Sequence, residues 1–155
     1  MDLVALLKHP DTLERVTTDR ALLLTVIEET LRWETSVTIV MRNAVANTEI
    51  ADCPIPAGSS LMLMMSSANR DESRYDRSTE WDIDRPTQNH LAFGTGPHQC
   101  LGMHLARLEL HIGLSAILDR LPRLCLDPVA PSPEIEGLAF RGPVSIPVLF
   151  DPVPA

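Results

Sequence analysis

One ten-residue stretch, Phe93-Gly94-Thr95-Gly96-Pro97-His98-Gln99-Cys100-Leu101-Gly102, constrains the fold more than any other part of this 155-residue chain. Three glycines and a proline keep helix or strand from running through it, so the backbone must turn there. An apolar-rich run follows, and a helix is expected from Cys100 to Leu121, ended by Pro122. A thiol at the head of that helix meets unpaired N–H groups and the positive end of the helix dipole. Both favour the thiolate over the thiol. The glycines remove side-chain bulk, so a flat, bulky partner can lie against the backbone.

The chain before the loop divides in two. Leu3, Leu6 and Leu7 belong to a short helix ended by His9-Pro10. Asp11 is positioned to cap a second helix, with Glu14 completing a capping box. Asp19 or Thr18 precedes a third helix over roughly Ala21–Trp33, whose apolar positions Leu23, Val26, Ile27, Thr30 and Leu31 keep helical spacing. β-branched residues then dominate from Val37 to Val45. A turn at Asn47, another over Cys53–Gly58 and an apolar run from Leu61 to Met65 predict a small antiparallel sheet. Its methionines are expected as core filler.

Ser66 to Asn89 is charged and lacks either period, with Trp81 and Ile83 as anchors. So long an irregular stretch inside a compact domain is usually functional or disordered. Within the expected Cys100–Leu121 helix, Leu101, Leu105, Leu108, Ile112 and Ala116 form the predicted apolar stripe. Short strands at Leu124–Leu126 and Val144–Phe150 close the chain.

Charge and cysteines narrow the function classes. A net charge of −8 argues against nucleic-acid binding, which needs a basic surface. No apolar run approaches the roughly 20 residues that span a bilayer. Three cysteines, at 53, 100 and 125, form neither a CxxC pair nor a disulfide framework, so a reducing cytoplasm is expected.

Several chemistries suit the loop itself. One thiolate facing a flat partner suits axial ligation of an iron porphyrin. Zinc competes, because His98, Cys100 and His104 offer nitrogen and sulfur ligands that Cys53, Cys125 or His90 could complete. Against zinc stand the missing paired-cysteine element, glycines without a role, and a cysteine heading an amphipathic helix. Covalent c-type haem lacks its C-x-x-C-H. A buried structural cysteine explains none of the surrounding pattern, and a nucleophilic Cys–His pair stays open.

The pattern Phe-Gly-x-Gly-x-His-x-Cys-x-Gly, followed by Ala106, resembles the haem-binding signature of the cytochrome P-450 superfamily. The resemblance implies haem b held by Cys100 as axial iron ligand, with Phe93, Gly94, Gly102 and Ala106 around it and His98 at a haem propionate. It also implies that Arg42, on the first strand after the third helix, faces a propionate. Glu29-Thr30-Leu31-Arg32 matches the superfamily's E-x-x-R motif, and Arg85 stands where a further arginine joins that buried pair. Taken alone, a Glu and an Arg three apart are usually a surface ion pair. The implied fold is mainly helical with small β-sheets (α+β), as in the C-terminal part of a bacterial-type member. It forms one partial domain over 1–155: helical 1–34, sheet region 35–65, meander loop 66–92, haem-binding loop and helix 93–121, and C-terminal strands 122–155.

The implied activity is haem-thiolate monooxygenation of a hydrophobic substrate, with electrons from a ferredoxin- or flavodoxin-type donor. Arg70, Arg74, Arg77 and Arg107 are candidates for a basic docking patch. The central oxygen-activating helix of the family has no counterpart in this sequence, so no catalytic acid–alcohol pair is assigned. The chain is therefore expected to be a fragment that is inactive alone and completed by an N-terminal chain. The alternative expectation is a non-catalytic haem-binding or interaction module.

Overall fold

The structure is a computed structural model that describes residues 1–86 and 89–152. Among the described residues, five α-helices and four two-stranded antiparallel ladders make it α+β. Helix α1 (Asp2–Lys8) is followed by α2 (Pro10–Thr18), a 3-10 turn (Arg20–Leu22) and α3 (Leu23–Trp33). His9, not Asp11, caps α2, because Pro10 takes the first helical position, where its missing N–H costs nothing. Asp19 caps the 3-10 turn by accepting the Ala21 N–H at 3.0 Å.

Leu23, Val26, Ile27 and Thr30 of α3 are buried, as their helical spacing predicts. Leu23, Val26 and Ile27 form the core with Leu6, Val16, Ile83 and Leu114. Leu114 lies on α5 (Met103–Arg120), which packs along α3. Among the described residues no helix is long and apolar enough to cross a membrane.

The expected sheet is a hairpin within a hairpin. Strand β1 (Ile39–Asn43) pairs with β4 (Ser60–Met64), and β2 (Thr48–Ile50) with β3 (Cys53–Ile55). The methionines depart from expectation. Met62 and Met64 are 57% and 47% exposed and line a cleft, so they are not core filler.

The two-residue loop between β2 and β3, Ala51-Asp52, holds both residues at positive φ, 47° and 61°. Such turns favour Asn-Gly, and a Cβ makes this conformation costly. The double substitution Ala51→Asn with Asp52→Gly should therefore stabilise the chain by about 1 kcal/mol and raise Tm by roughly 2–4 °C in a calorimetric scan.

After α4 (Met65–Ala68) the chain wanders through turns to Pro86, with Tyr75 and Ile83 buried inside. The tail adds β5 (Cys125–Leu126) paired with β8 (Val148–Leu149). A hairpin of β6 (Ile135–Glu136) and β7 (Gly142–Pro143), not expected from the pattern, lies between them.

Candidate functional site: a cysteine loop over an apolar cleft

The loop closes on itself through its own backbone. Cys100 N–H donates to the Phe93 carbonyl at 2.8 Å, Gly94 N–H to Leu91 at 2.9 Å, and Gln99 N–H to Gly96 at 3.0 Å. Gly94 and Gly96 adopt φ of +68° and +74°, where a side chain would be strained. Cys100 does not start the helix as expected. It stands in a turn two residues before Gly102, which is the N-cap of α5. Its Sγ stays near that terminus, since a Cβ built on Gly102 would lie 4.0 Å from it.

Cys100 is a free, exposed thiol on the wall of a cleft of about 1070 Å³. Phe93, Gly94, His98 and Ala106 share that wall; Gly102 stands behind the sulfur and does not line it. Leu31, Val37, Val40, Met62, Leu63 and Met64 make the remainder largely apolar. Arg42 also borders it. Its guanidinium donates to the neighbouring Met41 carbonyl at 2.8 Å and, among the described residues, pairs with no carboxylate. One thiol, an apolar surface and two basic side chains, Arg42 and His98, suit a flat apolar group that carries a metal and anionic substituents. The zinc alternative has no ligand set, because no group of three His, Cys, Asp or Glu residues that could hold a metal forms among the described residues.

Behind the loop lies a buried ion network. Arg32 is 2% exposed and Glu29 7%. Arg32 donates to both oxygens of Glu29 at 2.7 Å, and to the carbonyls of Asn69 (2.9 Å), Ser78 (2.8 Å) and Glu80 (2.9 Å). All five guanidinium N–H groups are thereby satisfied. Arg85 donates to Glu29 at 3.3 Å, and the Asp82 N–H to the same oxygen at 3.0 Å. Helix α3 thus holds three separate points of the meander.

Sequence reasoning missed two clamps nearer the cysteine. Asn69, fully buried, accepts the Leu91 N–H at 2.6 Å and donates to Thr35 at 2.8 Å. Glu28 accepts a two-pronged contact from Arg107 at 2.5 and 2.8 Å, and a third contact from His90 at 3.2 Å. Burial pushes the Glu28 carboxyl up, but the Arg107 and His90 hydrogen bonds outweigh it and hold it at about 2.

Two further expectations are corrected. Leu105, Leu108 and Ile112 are 54–59% exposed and Leu101 fully so, whereas Leu110, Leu114 and Leu118 face the core. The helix is apolar on several sides, so spacing alone selected the wrong stripe. The expected basic patch is largely neutralised. Arg70 is bonded to Trp33 and Glu34, Arg77 to Glu80 and Asp82, and Arg107 to Glu28. Of its four arginines only Arg74, 5.9 Å from the Tyr75 ring centroid, has no carboxylate partner among the described residues.

Known proteins share this architecture. The 20-oxo-5-O-mycaminosyltylactone 23-monooxygenase of Streptomyces fradiae is 38% identical over 91% of this chain and 32% of its own length. The steroid C26-monooxygenase of Mycolicibacterium smegmatis is 42% identical over 95% of this chain and 37% of its own. The solved structure of cytochrome P450 CYP109Q5 from Chondromyces apiculatus superposes with a TM-score of 0.90 at 37% identity, covering 99% of this chain and 40% of that one. The chain thus spans a third to two fifths of the length of these relatives. The family profile of cytochrome P450 matches residues 3–144, a span that contains the cysteine loop, the cleft wall and the buried network. With that profile and those relatives across nearly all of its length, the chain belongs to the cytochrome P450 family.

Proposed function

We propose that this chain forms the haem-binding portion of a haem-thiolate monooxygenase, with Cys100 as axial ligand to the iron of haem b. The observation that carries the reading is the free Cys100 thiol on the wall of an apolar cleft bordered by Arg42 and His98. Bound haem would supply the oxygen chemistry, inserting one atom of O2 into an organic substrate, and a thiolate ligand favours O–O cleavage.

The chain's own residues hold and tune that group. Among the described residues the N–H groups of Leu101 and Gly102 have no acceptor, so they are available to the sulfur and would lower its basicity. Arg42 and His98 would bond the propionates, where charge-assisted bonds are strong. Phe93, Gly94 and Ala106 offer flat, low surface, and Gly102 leaves room beside the sulfur. The apolar lining at Val37, Val40, Met62 and Met64 suits a hydrophobic substrate. Electrons would come from a ferredoxin- or flavodoxin-type donor in the cytoplasm. Because the chain spans a third to two fifths of its relatives' length, the rest of the family fold would complete the cleft.

The purified chain, loaded with haemin, reduced and exposed to carbon monoxide, is expected to show the red-shifted Soret band of a thiolate ligand. Cys100→Ala should abolish that band, while Cys53→Ser and Cys125→Ser should leave it. Survival of the band in Cys100→Ala would exclude Cys100 as ligand. Turnover of a hydrophobic probe with a ferredoxin system, measured with the rest of the family fold supplied, separates a monooxygenase from a haem-binding module without catalysis.

A further inference from the structure

Glu28, His90 and Arg107 come from three places in the chain: helix α3, the strand of loop entering the cysteine turn, and the helix leaving it. One carboxylate receives both of the others. The His90 ring is 4% exposed, and its Nδ1 accepts the Ala92 N–H at 3.2 Å. A backbone N–H can only donate, so Nδ1 is unprotonated and Nε2 carries the proton that goes to Glu28. Phe93 is adjacent to both basic groups. The Arg107 guanidinium sits 4.7 Å from its ring centroid and the His90 ring 6.2 Å away. The Phe93 carbonyl in turn takes the Cys100 N–H at 2.8 Å. A continuous line of contacts therefore runs from the Glu28 carboxylate through the Phe93 ring to the Cys100 backbone.

We propose that Glu28, His90 and Arg107 are positioning residues that clamp Phe93 and thereby fix where the Cys100 sulfur points. They do so separately from the Glu29–Arg32–Arg85 network, which holds the meander. The proposal rests on the reading of Cys100 as the thiolate ligand, and it deepens that reading. The clamp joins the two arms of the loop, at residues 90–93 and 107, to one rigid helix. Without it, the glycines at 94, 96 and 102 leave the turn many conformations. Its two ion-paired bonds are partly buried, with the Arg107 and Glu28 side chains each about a third exposed, so they orient more than they stabilise.

The test uses His90→Phe, which keeps the ring and loses both hydrogen bonds, and His90→Gln, whose amide can still donate to Glu28. Glu28→Gln serves as a second variant on the opposite side of the clamp. The first measurement needs no haem: hydrogen exchange of the Cys100 and Ala92 amides, with the core amides of Val26 and Ile27 as reference. His90→Phe should speed exchange at Cys100 by about tenfold or more while the core amides keep their protection. His90→Gln should restore most of that protection. The second measurement is the fraction of carbon monoxide complex with the red-shifted thiolate band after haemin loading. That fraction should fall in His90→Phe and Glu28→Gln and recover in His90→Gln.

Equal acceleration of all amides would mean general destabilisation and would overturn the proposal. Unchanged Cys100 exchange in both His90→Phe and Glu28→Gln would overturn it too. Absence of the thiolate band from the unmutated chain would instead remove the parent reading, and the exchange measurement would still decide whether the clamp exists.

Discussion

Arg32→Ala should remove roughly 3–5 kcal/mol of stability, a large fraction of what a domain of this size has to lose. The cause is what remains behind. Glu29 is 7% exposed, and without Arg32 it keeps only the Asp82 N–H and the long Arg85 contact. The carbonyls of Asn69 and Ser78 lose their side-chain donor together, and that of Glu80 keeps only the 3.3 Å contact from Arg85. Arg32→Lys should fall in between, because an ammonium has no planar fork to reach two carboxylate oxygens and three carbonyls at once. Arg15→Ala is the control. Its pair with Asp84 is 46% and 65% exposed, so the urea midpoint should not move. Urea unfolding monitored by far-UV circular dichroism gives both numbers. A loss under about 1 kcal/mol for Arg32→Ala would show that the network is not a brace, because an unpaired buried charge must cost more than that.

Particular residues show what the sequence could and could not reveal. The cysteine loop was legible because glycine, proline and cysteine each force a local geometry. Spacing brought Glu29 and Arg32 together on one helix face, but only the family resemblance implied that the pair is buried. Glu28 carried no such signal. Its partners His90 and Arg107 lie 62 and 79 residues away, and nothing local distinguishes it from a solvated glutamate. Asn69 was hidden for the same reason, since its two side-chain bonds reach residues 34 and 22 positions off.

The meander has no period because side-chain bonds to scattered carbonyls shape it, with no repeating buried face. Arg32 and Trp33 between them bond the carbonyls of Asn69, Ser78, Thr79 and Glu80. Helix α5 failed differently. Leucines on several faces offered more than one stripe, and only packing against α3 could choose Leu110, Leu114 and Leu118. The first turn of that helix was misplaced because Cys100 and Leu101 carry no stop signal, whereas Gly102 as N-cap is set by the loop's closure on Phe93.

Gly137→Ala should destabilise the chain by about 2–4 kcal/mol, the largest effect of any single methyl. Gly137 opens the β6–β7 turn at a φ of +101°, a backbone region open in practice only to glycine. A Cβ there would stand 2.0 Å from the Phe140 carbonyl oxygen and 3.0 Å from its carbon. Both are backbone atoms, so nothing flexible can swing aside. The turn also docks: Thr38 N–H donates to Ala139 at 3.0 Å, Arg141 N–H to Ser36 at 2.8 Å, and the Arg141 side chain to Glu34 at 2.9 Å. Opening the turn therefore loosens Ser36–Thr38, which leads into β1 and the cleft residues Val37, Val40 and Arg42. Gly58→Ala is the matched control. It has a φ of +84° but nothing within 4 Å of a Cβ, so only the conformational cost of about 1 kcal/mol should appear. The difference between the two urea midpoints isolates the collision at Phe140. If the two variants lose the same amount, the turn has relaxed around the methyl and Gly137 is needed only for its φ. If Gly137→Ala alone also exposes Val37 to faster hydrogen exchange, the β6–β7 tip holds the cleft wall in place.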